Sequence, residues 1–160
     1  MAFFDEARIT VISGKGGNGC SSFRREKYIP KGGPDGGDGG KGGDVIAIHD
    51  RNLNSLINLK GKRIFSAESG KSGSGKNMKG ESGEDLLIPL PNGTLIYAEK
   101  TGELIGEITD TNEKITVAKG GKGGLGNARF KSSTNQSPRN FTEGEESDKR
   151  DIMLELRLIA

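Results

Sequence analysis

Residues 23–43 read FRREKYIPKGGPDGGDGGKGG, and this stretch decides the fold of the chain. A basic patch leads into glycine pairs that recur every three residues from position 36 to position 43. Three residues per turn is the repeat of a polyproline II helix, which has no internal hydrogen bonds. A column of glycines on such a helix lets other backbones approach closely, because no Cβ stands in the way. The pattern therefore predicts a fold element and not a linker.

The same three-residue spacing of glycines returns before and after this stretch. We predict three glycine-rich segments, at about residues 14–43, 60–84 and 119–139, which pack against one another as a bundle of extended, left-handed helices of the polyproline II type. The glycines expected to make the close backbone contacts are Gly33, Gly36, Gly37, Gly39, Gly40, Gly42, Gly43, Gly80, Gly120, Gly121, Gly123 and Gly124.

Between the glycine-rich segments, alternating apolar and polar residues predict β-strands. The predicted strands are residues 3–12, 44–50, 86–90, 94–99, 104–108, 114–118 and 151–159. Residues 53–59 are predicted as a short helix or turn, and residues 61–65 as extended chain. The middle four strands are separated by short turns, which favours a small antiparallel β-barrel or sandwich. The fold class expected for the 160 residues is one all-β domain with irregular glycine-rich parts.

Composition excludes several classes of protein. The chain has one cysteine and one histidine, which excludes an internal disulfide framework and argues against a Cys/His zinc site or a Ser-His-Asp triad. The first residues, MAFFDEARITVIS, look like a strand and not a signal peptide, and the chain contains no long apolar run. We expect a soluble, cytoplasmic monomer without membrane insertion.

Two glycine motifs resemble nucleotide-binding loops without fulfilling their requirements. Residues 14–19, GKGGNG, match G-x-G-x-x-G, but no βαβ unit is predicted around them. Residues 70–77, GKSGSGKN, end in Asn77 where a P-loop has a magnesium-binding hydroxyl, and two glycines weaken any following helix. Asp35 and Asp38 are expected to bind local backbone N–H groups or a nearby lysine, not a metal ion. No catalytic residue and no metal site are predicted.

Charge is distributed unevenly along the chain. The three glycine-rich segments hold 17 of the 24 Lys and Arg residues but 6 of the 22 acidic ones. This contrast predicts a basic surface oriented toward a polyanion, beside an acidic half. The few aromatic residues favour reading of RNA shape and phosphates over base stacking. The basic or amide side chains expected at the tips are Lys31, Lys41, Lys71, Lys76, Asn77, Lys79, Lys122, Asn127, Arg129, Lys131 and Arg139.

Three stretches together resemble the amino-terminal domain of the Obg family of GTPases. They are residues 16–45 (GGNGCSSFRREKYIPKGGPDGGDGGKGGDV), 75–86 (GKNMKGESGEDL) and 118–139 (AKGGKGGLGNARFKSSTNQSPR). The resemblance covers essentially the whole chain and implies the Obg fold, a glycine-rich bundle of left-handed type II helices standing on a small β-barrel or sandwich. Residues 70–80, GKSGSGKNMKG, differ from many relatives by an extra Ser and Lys.

Family membership would also imply a function. In the family, a GTPase domain with a true P-loop follows a strand similar to residues 154–160, LELRLIA, so GTP and Mg²⁺ are expected there and no cofactor or enzymatic activity in this chain. The implied partners are the large ribosomal subunit and its rRNA, in ribosome assembly and in stress or growth control. Matched onto this sequence, the hypothetical rRNA-binding residues are Arg24, Arg25, Lys27, Lys31, Lys41, Lys76, Lys79, Lys122, Arg129 and Arg139.

An alternative function is a protein-interaction domain. In that interpretation an acidic surface on the sheet half, with Glu143, Glu145, Glu146 and Asp148, docks stress-signalling or ribosome-assembly proteins. Charge reversal at the glycine-rich tips would separate the two hypotheses, because it should abolish RNA association and spare such docking.

Overall fold

A computed structural model describes residues 2–24, 32–61 and 64–159 of the protein. This part of the chain is mostly β-structure with very little helix. Its elements are β1 (Ala2–Ile12), β2 (Val45–His49), α1 (Ile57–Lys60), β3 (Ile64–Ser66), β4 (Leu86–Leu90), β5 (Thr94–Ala98), β6 (Leu104–Ile108), β7 (Lys114–Ala118), a 3-10 helix (Asn127–Phe130) and β8 (Lys149–Ile159). The seven predicted strands are therefore confirmed. β3 lies partly in the predicted extended chain of residues 61–65, of which residues 62 and 63 are outside the described ranges, and the 3-10 helix was not expected. No helix in the described ranges is long and apolar enough to cross a membrane.

The strands form two sheets. One has five strands in the order β3-β1-β8-β5-β6, and the other has three in the order β4-β2-β7. The longest ladder of the five-stranded sheet joins β1 to β8 in antiparallel register, from Ala2 opposite Ile159 to Ile12 opposite Lys149. Within the described residues both sheets are open at their edges, so the strands do not form the closed barrel that was one of the two predicted arrangements.

The prediction of a purely antiparallel arrangement is wrong in two places. β1 pairs with β3 in parallel, and β2 pairs with β4 in parallel. Tight turns can join only antiparallel neighbours, whereas parallel neighbours need a long crossover. Here the connections between the parallel strands are long and contain the glycine-rich segments. The sequence predicts those segments, but it does not predict the strand order that results from them. Short turns also mislead, because β4 and β5 are adjacent in sequence but lie in different sheets.

One hydrophobic core takes side chains from both sheets. Val11 and Leu154 of the five-stranded sheet and Val45 and Ile88 of the three-stranded sheet are each at most 2% exposed. Leu56, just before α1, is buried in the same cluster. Every buried apolar residue of this cluster lies in a strand or in or beside α1, so the core does not extend into the described glycine-rich stretches.

A buried carboxylate holds α1 against the first strand. Asp5 of β1 accepts a hydrogen bond from the backbone N–H of Leu56 at 2.8 Å and forms an ion pair with Lys60. Burial works to raise the pKa of Asp5, but the hydrogen bonds from Lys60 and Leu56 outweigh it and the pKa is lowered. Asp5 therefore stays ionised while it is largely covered, because both partners are in place.

Three long excursions leave the sheets at one end of the molecule. They span residues 13–44, 67–85 and 119–148, and each leaves one sheet and returns to the other. The N–H of Ser13 donates to the carbonyl of Asp148 at 2.9 Å, and the N–H of Gly14 donates to the carbonyl of Gly43 at 2.8 Å. The six strand ends that carry the excursions thus meet at a common base. We call the described parts of these excursions the glycine-rich bundle.

Backbone hydrogen bonds within the first excursion, and between it and the third excursion, repeat every three residues. The N–H groups of Gly14, Gly17 and Cys20 donate to the carbonyls of Gly43, Gly40 and Gly37 at 2.8–2.9 Å. The carbonyls of Gly14, Gly17 and Cys20 accept in turn from Gly121, Gly124 and Asn127 at 2.8–3.0 Å. The predicted packing of separate glycine-rich segments against one another is therefore present, with the spacing that the sequence shows.

The close packing leaves almost no space for a side chain at most of the predicted glycines. At eleven of the twelve, a Cβ would collide with a main-chain carbonyl of another stretch, as at Gly39 against Gly17 and at Gly123 against Gly39. Gly33 is different, because its Cβ would meet only the Nζ of Lys131 at 3.6 Å. Gly14, Gly16, Gly17 and other glycines outside the predicted set make the same kind of backbone contact.

Candidate nucleic-acid interface

The end of the bundle farthest from the sheets is held by contacts among all three excursions. Arg24 N–H donates to Gly33 at 2.9 Å, and Asn77 N–H donates to the carbonyl of Asp35 at 2.7 Å. The hydroxyl of Ser21 donates to the carbonyl of Arg139 at 2.9 Å. We call this region the distal end. Its described members are residues 21–24, 32–38, 74–79, 126–131 and 138–139.

Asn127 is the buried centre of the distal end. Its Oδ1 accepts from the N–H of Gly36 at 2.8 Å, and its Nδ2 donates to the carbonyls of Ser22 and Pro138 at 2.9 and 3.1 Å. The side chain is 0% exposed. The expectation that Asn127 is an exposed tip amide is therefore wrong, because its amide is consumed by three backbone partners. One side-chain amide has both donors and an acceptor, so Asn127 can bind the backbones of Ser22, Gly36 and Pro138 together. The sequence does not show that these three positions converge on Asn127.

A tight turn at Lys76 and Asn77 forms another part of the distal end. Both residues have positive φ, 62° and 56°, in the left-handed region that side-chain-bearing residues rarely adopt. Asp35 holds this turn, since its Oδ2 accepts from the N–H of Lys76 at 3.0 Å and its carbonyl accepts from Asn77. Ser22 donates to the other carboxylate oxygen at 2.6 Å and, as the largest effect, lowers the pKa of Asp35.

An ion pair orients a guanidinium at the same end. Arg129 donates to Oδ2 of Asp38 from Nε at 3.0 Å and from Nη2 at 2.7 Å. Gly126 N–H donates to Oδ1 of Asp38 at 2.9 Å. Arg129 lowers the pKa of Asp38, and Asp38 raises the pKa of Arg129. The expectation that Asp35 and Asp38 bind backbone N–H groups is thus met, but these groups, on Lys76 and Gly126, are distant in the sequence and not local, and the cation beside Asp38 is an arginine.

The structure places half of the hypothetical rRNA-binding residues at the distal end. These five are Arg24, Lys76, Lys79, Arg129 and Arg139, and all are exposed. Lys79 and Arg129 line one shallow cavity of about 300 Å³ beside Asp38. Because these side chains come from three excursions, the fold brings together cations that are up to 115 positions apart in the sequence.

The remaining hypothetical rRNA-binding residues lie elsewhere. Lys41 is nearer the sheets, where its Nζ donates to Oδ1 of Asp44 at 2.8 Å. Burial works to raise the pKa of Asp44, but the hydrogen bonds from Lys41 and Gly120 outweigh it and lower the pKa. Lys122 is exposed on the side of the bundle, where its N–H donates to Glu145 at 3.3 Å. Arg25, Lys27 and Lys31 lie outside the described residues.

The acidic residues 143–148 do not lie on the sheet half, which corrects the prediction. Glu145 accepts from the N–H of Gly16 at 2.9 Å through its carbonyl, so this stretch is part of the bundle. Glu146 lies 3.6 Å from Lys15 in an ion pair. The stretch lies beyond the predicted glycine-rich segment 119–139, but Gly144 fits against the carbonyl of Gly16 as the other bundle glycines do.

Neither nucleotide-like motif has the architecture of a phosphate loop. Residues 14–19 run as extended chain within the bundle, and no helix follows them in residues 20–24. Residues 70–77 lead into the turn at Lys76 and then into extended chain as far as β4. A phosphate cradle of either type needs the N-terminus of a helix. The two motifs instead supply backbone contacts to the bundle.

The fold and the distal end together define a class of protein, a two-sheet β domain that carries a glycine-rich bundle with cations at its end. The family model described as GTP1/OBG matches residues 4–158. The chain therefore belongs to the GTP1/OBG family, and the matched region is the non-catalytic N-terminal domain of this family of GTPases.

Proposed function

We propose that this chain is the ribosome-binding module of an Obg-family GTPase, and that the distal end of its glycine-rich bundle contacts rRNA of the large subunit. The observation that carries the proposal is the grouping of five exposed cations, from three excursions, at one end of the molecule. Phosphates dominate the affinity of proteins for RNA, and Lys and Arg side chains meet them. In this proposal the protein acts in the cytoplasm, in ribosome assembly and in stress or growth control.

The backbone of the distal end supports such a role because it is fixed before RNA arrives. Asp38 holds the guanidinium of Arg129 in one orientation, and Asp35 holds the turn that carries Lys76. A side chain that is already ordered loses less entropy when it binds. A guanidinium held as that of Arg129 is suited to meeting RNA phosphates, whereas a flexible lysine tail would have to be ordered first.

We further propose that the glycine-rich segments are polyproline II helices and that the two sheets form a sandwich. The backbone hydrogen bonds repeat every three residues, as this helix does. Gly126 has φ −75° and ψ 160°, close to polyproline II values. A single core shared by both sheets supports the sandwich.

The chemistry of GTP belongs, in this proposal, to the GTPase domain of the family and not to this chain. That domain would bind GTP and Mg²⁺ and hydrolyse GTP, while this chain does neither. Calorimetry of the chain with GTP and Mg²⁺ is expected to show no binding. A micromolar dissociation constant would contradict this part of the proposal.

The test of the main proposal is co-sedimentation with purified large ribosomal subunits across a salt series. One variant carries Lys76→Glu, Lys79→Glu and Arg139→Glu, which reverse three distal charges. The matched control carries Arg51→Glu, Lys100→Glu and Lys114→Glu, which reverse three exposed charges on the sheet half. Both variants change the net charge equally, so non-specific electrostatics affects them alike.

The proposal predicts that the distal variant loses binding and that the control keeps it. Binding of the unmodified chain should weaken with salt by about 0.7–0.9 log units per log unit of salt for each neutralised phosphate. If the two variants sediment alike, the distal end is not the RNA-binding region. Docking of a protein partner through the acidic residues 143–148 would then be the better explanation.

A further inference from the structure

A cavity of about 570 Å³ opens at the distal end, between the first excursion and the turn at Lys76. Its walls include Phe23 and Arg24 on one side and Lys76 and Asn77 on the other, with Asp35 between them. The volume falls within the range of about 300–1,000 Å³ that is usual for small-ligand sites. It is larger than the cavity of about 300 Å³ beside Asp38.

The walls of this cavity offer three different kinds of contact. Arg24 and Lys76 are cations that suit a phosphate. Phe23 supplies an apolar surface of the kind on which a base can stack. Asp35 accepts one hydrogen bond on each carboxylate oxygen, from Ser22 and from Lys76, and a carboxylate has about four acceptor sites in total. It can therefore still accept hydrogen bonds from a ligand with N–H donors.

Simpler ligands match only part of this set. An inorganic anion would use the two cations but would contact neither the ring of Phe23 nor the acceptor sites of Asp35 through N–H donors. A metal ion would need more ligands, and the described residues contain no cluster of three or more His, Cys, Asp or Glu that could hold one. A nucleotide combines a phosphate, an aromatic plane and N–H donors at the edge of the base, so it matches all three.

We propose that this cavity receives one unpaired nucleotide of RNA, with the base inside and its phosphate at Arg24 and Lys76. The proposal rests on the proposed function and deepens it. An RNA strand is favoured over a free nucleotide because the cations continue outside the cavity, at Lys79 and Arg129, where neighbouring phosphates would lie. The bundle would then read one extruded base in addition to the shape of the RNA.

The cavity is built to keep its shape without a ligand. Asp35 is 8% exposed and is fixed by Ser22 on one side and the Lys76 turn on the other. Phe23 is anchored by a backbone bridge to Pro34. Both walls are thereby held to the same buried carboxylate, so a base can enter a formed space and does not have to order it.

The test is fluorescence anisotropy with a labelled eight-nucleotide single-stranded RNA and with the same RNA annealed to its complement. Phe23→Ala should weaken single-strand binding about five-fold or more, as expected for one lost stacking contact, and leave duplex binding unchanged. The matched control is Phe141→Ala, which removes an exposed phenylalanine outside the cavity and should change neither. Lys76→Asn, which tolerates the left-handed turn, should lower the salt slope for the single strand by about 0.7.

Thermal unfolding checks that the Phe23→Ala variant is folded. If that variant does not fold, Phe23→Leu is used instead, because leucine keeps the apolar volume but lacks the aromatic plane. Unchanged single-strand binding by the folded Phe23 variant would overturn the proposal. Guanosine monophosphate binding as tightly as the octamer would overturn the assignment to RNA. Both results are separable from failure of the proposed function, because the unmodified chain would in either case still sediment with large subunits.

Discussion

Gly39 shows at the scale of one residue what limits the sequence of the bundle. Its N–H donates to the carbonyl of Gly124 at 2.9 Å, and a Cβ would collide with the carbonyl of Gly17. The neighbour in this collision is a backbone, which cannot rotate away as a side chain would. Even alanine, the smallest side chain with a Cβ, therefore has to push two backbone stretches of the first excursion apart.

We predict that Gly39→Ala lowers the free energy of unfolding by about 3 kcal/mol or more, at the upper end of what overpacking costs. Gly33→Ala is the matched control in the same bundle. There the added Cβ has room, and reduced freedom of the unfolded chain should stabilise the protein by about 0.4–1 kcal/mol. Urea unfolding followed by circular dichroism measures both, and equal effects of the two substitutions would contradict this description of the packing.

Four buried or partly buried carboxylates set the response to acid. The pKa values of Asp5, Asp35, Asp38 and Asp44 are all lowered from 3.8 in the folded protein. As the pH falls, the unfolded chain therefore takes up protons first, so stability is full above about pH 4 and is lost as the pH falls further. Near neutral pH these groups contribute no pH dependence.

We expect the unfolding temperature to be nearly constant between pH 7 and pH 5 and to drop steeply below about pH 4. Asp38→Asn should be less stable than the unmodified protein at pH 7, because Arg129 and Gly126 lose a charged acceptor. Its stability should also fall less steeply with acid, because one of the four carboxylates is gone. Calorimetry across this range tests the idea, and parallel curves for the two proteins would refute it.

The glycine pattern shows which residue-level features a sequence can predict. A backbone contact that repeats every three residues follows from local geometry, so eleven of the twelve predicted glycines are in close contact with another backbone. Gly33 is the exception: its carbonyl accepts a hydrogen bond from Arg24, but an added Cβ would meet only the Nζ of Lys131. The burial of Asn127 could not be predicted in this way, since it depends on three segments that meet only in space.

At the scale of elements, alternation of apolar residues was enough to locate the strands but not their partners. Seven of the eight strands were predicted within two residues at each end, because their two faces meet different surroundings, whereas β3 was predicted only as extended chain. The parallel pairs of β1 with β3 and of β2 with β4 depend on where the long excursions return to the sheets. The same excursions group the distal cations. The sequence predicts them on packed glycine-rich segments, but which of them lie together, as Arg24, Lys76 and Arg129 do, depends on how the excursions return to the sheets.

The turn at Lys76 and Asn77 is the element whose strain can be measured. Lys76 has a φ of 62°, which costs a residue with a side chain about 1–2 kcal/mol and costs glycine little. We predict that Lys76→Gly raises the free energy of unfolding by about 1 kcal/mol. Lys79→Gly is the control, since Lys79 lacks a positive φ, and added chain entropy should make it neutral or destabilising. Destabilisation by both substitutions would show that the turn is not strained.

At the scale of the whole molecule, two kinds of interaction stabilise two parts of the fold. The sheets are held by an apolar core, whereas the bundle is held by backbone hydrogen bonds and close glycine contacts. All six strand ends that carry the excursions lie at the same end of the sheets, so the bundle projects away from them. This separation places the distal cations at the end of the bundle away from the sheets, and it gives the proposed RNA contact a direction.

Directed hydroxyl-radical cleavage of rRNA in the large subunit tests that direction. An iron chelate is attached to a single cysteine, at Lys79→Cys in the distal end or at Lys114→Cys at the far end of β7, each combined with Cys20→Ser. Our proposal predicts strong, localised cleavage of rRNA from position 79 and little from position 114. Cleavage from position 114 with none from position 79 would show that the sheet half, and not the glycine-rich bundle, faces the ribosome.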